Sequence, residues 1–260
     1  MSILRCFMTD APLFDFRRRD AVGDLVLVGP IRREVIVKAH THTLVRKNAQ
    51  LAPFYVPDSF NSALSDTRAN GHYDVVATGL HIYTDSNTST DKVAEYVDTN
   101  TALAAAGEPS LEYTNTDGGI PGAQLIVDFD SDGTADGILI GEPAFYGNDW
   151  WLSNSAAQFF KDGAPSHTVG SGSANHGTLD QWRAAFPNAV VTAFGFSLGS
   201  GVQGDGVLNA INFAATRYTF GTQTVLAGKD NCKKGGWETS TSPVFKNQGD
   251  CASSFASSKR

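Results

Sequence analysis

Sulfur is scarce in this chain. Its 260 residues include 3 cysteines and 2 methionines. Three cysteines cannot build a disulfide-dense scaffold, and none stands in a Cys-x-x-Cys pair, which excludes a zinc ribbon and a thioredoxin-like redox pair. Cys232 and Cys251 lie close together in a polar tail with no histidine nearby. That setting reads as a disulfide rather than a metal site, and it favours an oxidising compartment. Cys6 stands alone. Long apolar runs are missing too. Nothing approaches the ~20 residues that cross a bilayer, so membrane insertion is not expected.

A basic surplus is also absent. The chain carries 27 acidic against 20 basic residues, a net charge of −7. The basic residues gather early, in Arg17-Arg18-Arg19 and Arg32-Arg33, so residues 1–50 are net basic and the remainder is strongly acidic. An acidic body cannot offer the basic face that a phosphate backbone demands, which excludes nucleic acid as a partner. The first ten residues contain no apolar stretch of a signal peptide. Export would therefore use another route or begin from a different start.

Glycine, by contrast, is abundant at 26. Together with Asn, Asp, Ser and Thr it punctuates short apolar runs, the habit of an all-β protein. Strands are expected at 73–77, 79–84, 110–114, 123–129, 138–141, 189–196, 207–213 and 217–220, with two further short ones around Gly29-Pro30. The segment 91–97 suits a helix face and a strand equally. Residues 155–161 suit a short helix or an irregular strand, and 170–177 a loop. One helix is well marked. Thr178 can cap it, Leu179, Trp182 and Phe186 form its apolar face, and Pro187 stops it. Short strands at steady spacing with one brief helix predict a jelly-roll-like antiparallel β-sandwich. The expected organisation is a poorly ordered or loosely packed extension over 1–57, a sandwich over 58–222 and a disulfide-closed tail over 223–260.

The loudest chemical signal lies between two apolar strands. Asp128, Asp130, Asp132 and Asp136 place four carboxylates in nine residues. They repel one another, and a cation would relieve that. Asp128, Asp130 and Asp132 occupy positions one, three and five of a DxDxDG loop, Gly133 permits the turn, Thr134 can offer its carbonyl, and Asp136 stands at position nine. Hard oxygen donors at this spacing suit calcium. Position twelve is Leu139, where an EF-hand has a bidentate glutamate, and the flanks are strands, so the loop is not an EF-hand. The competing reading is a solvated acidic hairpin.

Other motifs carry less. Gly195-Phe196-Ser197-Leu198-Gly199 matches the GxSxG nucleophile pattern, but all six histidines precede it and the glycine-rich stretch after it cannot form the required helix. A glycine-rich turn is expected there; an arrangement of His176, Asp180 and Ser197 is the remaining hydrolase order. Glu142 and Asp149 are the one suggestive pair of carboxylates for glycosidase work. His40 and His42 share one side of a strand but lack an evident third ligand. His81 reads as an ordinary strand residue. Tyr146, Trp150 and Trp151 could stack on sugar rings, with Asn148 and Asp149 for hydroxyls; the competing reading puts all three aromatics in the core.

The acidic loop is similar to the strand–loop–strand calcium loop of FG-GAP repeats, with Ser131 in place of the first glycine; a single copy excludes a propeller. The blocks Val127–Pro143, Tyr146–Asn154, Gly177–Trp182 and Phe194–Gly201 resemble a group of secreted actinobacterial proteins. The tail, Cys232-Lys-Lys-Gly-Gly-Trp237 followed by Phe245-Lys-Asn-Gln-Gly-Asp-Cys251, is similar to a CKxGGW…FKNQGxC module at the ends of secreted bacterial proteins. These resemblances imply export and a disulfide, not a reaction. The resulting expectation is a secreted or cell-surface, non-catalytic, calcium-stabilised binding or adhesion module. Its partner would be an extracellular polysaccharide or a surface protein. The alternatives are a secreted hydrolase acting on an extracellular polymer and a purely structural surface module.

Overall fold

Short apolar runs, several of them alternating with polar residues, draw the largest share of the described residues into strands. In the computed structural model, residues 50–166 and 173–257 are described. The chain divides into two units between Arg46 and Lys47, and every described residue belongs to the second. The expectations for the basic clusters, Cys6, His40, His42 and the strands around Gly29 lie outside the described residues, as do residues 170–172 of the expected 170–177 loop, whose last two residues, His176 and Gly177, belong to a strand.

The elements run β1 (Gln50–Val56), β2 (Gly71–Val76), β3 (Gly79–Thr84), β4 (Lys92–Ala102), β5 (Ser110–Gly118), β6 (Gly122–Asp128), β7 (Gly137–Gly141), α1 (Pro143–Tyr146), β8 (Asp149–Leu152), α2 (Gln158–Gly163), β9 (His176–Thr178), α3 (Leu179–Ala185), β10 (Val190–Gly199), β11 (Gly204–Phe213), β12 (Thr216–Thr222) and α4 (Gln248–Ser257). They form two six-stranded sheets. The second sheet is antiparallel throughout, in the order β4-β10-β6-β7-β8-β9. The first branches at β11. One edge of β11 takes β5 along its length; the other takes β3 over Gly204–Leu208 and β12 over Ile211–Phe213. The β1–β12 pair is parallel. This is an all-β, antiparallel-rich sandwich with few helices and a disulfide-closed tail.

The sheets meet over one core. Leu80, Ile82 and Leu208 from the first face Val93, Leu125, Leu139, Leu152 and Phe196 from the second, all buried. Each such side chain contributes roughly 1.5–3 kcal/mol of burial. A smaller cluster, Ala94, Tyr96, Ile126 and Ala193, sits on the far face of the second sheet with Leu64 and Ile138 against it. The segment before β2 reaches it by running along β4, where the amides of Asn61, Asp66 and Arg68 donate to the carbonyls of Tyr96, Ala94 and Lys92. That covers an edge that would otherwise invite another strand.

Three local readings gain definition. The 91–97 segment is strand β4, and burial on both faces explains why its pattern also fits a helix: Val93 enters the central core, while Ala94 and Tyr96 enter the far cluster. The GxSxG stretch is not a turn but the last half of β10, paired with β4 throughout and with β6 as far as Ser197. Gly195 is there for close approach, because a Cβ on it would lie 1.9 Å from the Glu95 carbonyl oxygen. The helix predicted from Thr178 is α3, with a complete capping box. The Gln181 amide donates to Thr178 Oγ1 at 3.4 Å, and the Thr178 amide donates to Gln181 Oε1 at 2.9 Å. β1 lies within the stretch assigned above to the extension; Phe54 stacks on Tyr218 at 4.6 Å and is buried. The Cys232–Cys251 disulfide has its own small core with Phe245, against which Leu226, Trp237 and Phe255 pack.

Candidate functional site

The acidic loop closes the β6–β7 hairpin. Its base is set by the Asp136 amide donating to the Val127 carbonyl at 2.8 Å. Phe129 anchors it below, buried against the rings of Phe160, Trp182 and Phe186. Ser131 Oγ ties it sideways to the Asn188 carbonyl at 2.5 Å. The carboxylates then organise the backbone. Asp128, itself buried, accepts from the amides of Ser131 at 2.7 Å, Asp132 at 3.2 Å and Gly133 at 2.8 Å. Asp130 accepts from the Asp132 amide, and Asp136 from the Phe129 amide. Ser131 adopts φ 63° and Gly133 φ 92°, the left-handed turns that wrap the chain round the acids.

Oxygens of Asp128, Asp130 and Asp136 converge within 4.8 Å of one another. This group could hold a metal ion. Asp132 stands outside that group and accepts from the Thr134 amide at 2.7 Å. Burial raises the Asp136 carboxyl above its usual range; the Phe129 amide opposes this, and the charges of Asp130, Asp128 and Asp132 add to it. A proton or a cation would relieve the same crowding.

The five residues expected to meet a ligand are divided by the β8 pleat. Trp150 turns inward, buried, and lies across Gly141, where a Cβ would come within 3.0 Å of the indole. Asn148, Asp149 and Trp150 line a cleft of about 630 Å³ between the sheets. Trp151 faces the other way. It stacks on Tyr146 at 6.1 Å and donates Nε1–H to Glu142 at 2.7 Å. Tyr146 also meets His176 edge-on, and its hydroxyl accepts from the Ser173 amide. The cleft's other wall is Leu111 and Tyr113 of β5, which no motif in the sequence marks. The Tyr113 hydroxyl is buried against Gly206 with no hydrogen-bond partner among the described residues, and burial, then Asp205, pushes it up to about 12.

Sequence reading also misses the contact of His176 Nδ1 with Asp149 Oδ2 at 2.9 Å. The two are 27 residues apart and meet because β8 pairs with β9. The order His176, Asp180, Ser197 is not assembled. β6, β7 and β8 separate β9 from β10, so Ser197 stands about 19 Å from His176 at the usual strand spacing. Asp180 instead pairs with Arg183 at 2.8 Å.

No family model matches the chain, nor does any curated protein or solved structure. Among the described residues no helix is long and apolar enough to cross a membrane, and the disulfide is compatible with an extracellular location.

Proposed function

We propose that the protein is an extracellular, non-catalytic binding or adhesion module braced by calcium, with a polysaccharide or a surface protein as its partner. The observation that carries this reading is the convergence of Asp128, Asp130 and Asp136. The donors are all hard oxygens, with no nitrogen or sulfur, which suits calcium or magnesium. A two-strand hairpin with left-handed turns tolerates the irregular geometry that calcium accepts and magnesium does not. The Asp132 carboxylate and the Thr134 carbonyl are further oxygens of the same loop. An ion there would turn repulsion into a fixed hairpin between β6 and β7, so its role is structural. The similarity of the loop to FG-GAP repeats, and of the tail to modules of secreted bacterial proteins, supports the same placement outside the cell.

Thermal melting with calcium and with EDTA tests this. Calcium should raise the Tm by several degrees, as binding to the folded state alone requires. Asp130→Ala should abolish the rise. A parent protein with the same Tm in both buffers overturns the metal assignment.

A further inference from the structure

We propose that the open edge of β5, with the cleft beneath it, binds an extended peptide bearing lysine or arginine side chains. This names the ligand of the binding reading above and rests on that reading. β5 is hydrogen-bonded to β11 on one side; among the described residues no strand pairs with its other side. A free strand edge offers alternating N–H and C=O groups at the spacing of another strand, which is how a peptide adds to a sheet. The first half of that edge, Ser110–Tyr113, borders the inter-sheet cleft. Every second side chain of an added strand would point into a space walled by Leu111, Tyr113, Pro143 and Trp150.

Two observations select a basic peptide over a sugar. A sugar ring needs an open aromatic face, but Trp150 keeps 6% exposure with its indole across Gly141, and Tyr146 and Trp151 stack on each other. The rim, in turn, is net acidic. Glu108 and Asp180 stand on it with Arg183 between them, and none of the described residues lining the cleft is basic. Arg183 Nη1 holds one oxygen of Glu108 at 3.0 Å and one of Asp180 at 2.8 Å, while those two side chains stay 76% and 89% exposed. Their second oxygens can therefore meet a cation on an incoming strand.

The test uses the whole chain and three probes: a blocked fluorescent peptide alternating lysine and valine, its glutamate–valine counterpart, and oligomers of β-1,4-linked glucose and N-acetylglucosamine. Anisotropy should show saturable, salt-sensitive binding of the lysine peptide alone. Hydrogen exchange should slow at the amides of Ser110–Asp117 when it binds. Glu108→Lys/Asp180→Lys should weaken binding about tenfold. Ile120→Arg, which adds a cation at the rim without breaking an ion pair, should act in the same direction in a protein whose circular dichroism is unchanged. Equal binding of the glutamate peptide, unchanged exchange along β5, saturable binding of a sugar oligomer in place of the peptide, or a dimer that protects the same amides would each overturn the proposal. Titrations run in calcium and in EDTA separate the two readings. A calcium-dependent Tm with no peptide binding removes only this proposal, and peptide binding with no calcium response removes only the metal.

Discussion

Gly195 sits where a neighbouring carbonyl leaves no space for a side chain. A methyl there would come within 1.9 Å of the Glu95 oxygen, and the two residues belong to the paired strands β10 and β4. Gly195→Ala should cost about 1–3 kcal/mol in urea unfolding, as an overpacked core does; a loss under a few tenths would show that β4 and β10 can part at no cost. Asp136 illustrates the opposite problem, a group crowded by charge. Asp136→Asn keeps an acceptor for the Phe129 amide and removes one of the repelling charges. In EDTA this variant should melt no lower than the parent, while in calcium it should gain nothing; a variant that still responds fully to calcium would remove Asp136 from the ligand set. Glu112 shows a carboxylate held the other way. The hydrogen bonds from Arg217, at 2.8 and 2.6 Å, lower its carboxyl below the usual range, with burial opposing and Asn212 assisting. A lowered folded value means the pair's stabilisation is present above the unfolded value of about 4.3 and is lost as pH falls through the folded one. Solvent screening keeps the pair under about 1 kcal/mol. Glu112→Gln should therefore lose a little stability at neutral pH and none at low pH, read from unfolding curves across that range.

At the level of single elements, local chemistry and tertiary contact are separable. α3 is written in its own residues: Thr178 and Gln181 close the capping box, and Leu179 and Trp182 supply the buried face. Thr178→Ala should cost about 1 kcal/mol, measured by urea unfolding. An unchanged midpoint would mean that the Trp182 contacts alone hold the helix. The β6–β7 hairpin is equally legible, since two apolar runs flank a loop of aspartates; its register is not, because β6 is buried on both faces. β4 is not legible. Its first half is buried on both faces, one by the opposite sheet and one by the far cluster against which Leu64 packs, and neither cover is visible in seven residues of sequence. The GxSxG stretch misleads for a related reason. Glycine marks turns most often, but here it marks the close approach of β4 to β10.

Across the whole molecule, the tail stands on its own contacts. The disulfide links residues 19 apart and packs with Phe245 in a cluster separate from the sandwich core. Closing a loop of that length contributes roughly 3 kcal/mol to the tail. Cys232→Ser/Cys251→Ser should speed tryptic cleavage after Lys233 or Lys234 while the main melting transition stays in place. A lowered main transition would mean that the tail helps to hold the sandwich together. The cleft is likewise a property of the assembled molecule. β5 arrives from one sheet and β8 from the other, so its walls share no stretch of sequence.

Alternation, turn residues and caps determined by themselves that this chain is a β-sandwich with α3, an acidic hairpin and a closed tail. The turns, the hairpin loop and the helix cap rest on neighbours within a few residues, where short-range sterics and hydrogen bonding decide; the tail is marked by two cysteines 19 residues apart in a polar stretch. Tertiary structure alone decided that Asp128, Asp130 and Asp136 converge while Asp132 does not, that Trp150 turns in and Trp151 out towards Tyr146, and that Asp149 meets His176. It also decided that, among the described residues, no strand pairs with the outer edge of β5 beside the cleft. These depend on strand pairing between distant segments, and pairing is set by burying two sheets against each other rather than by any local sequence.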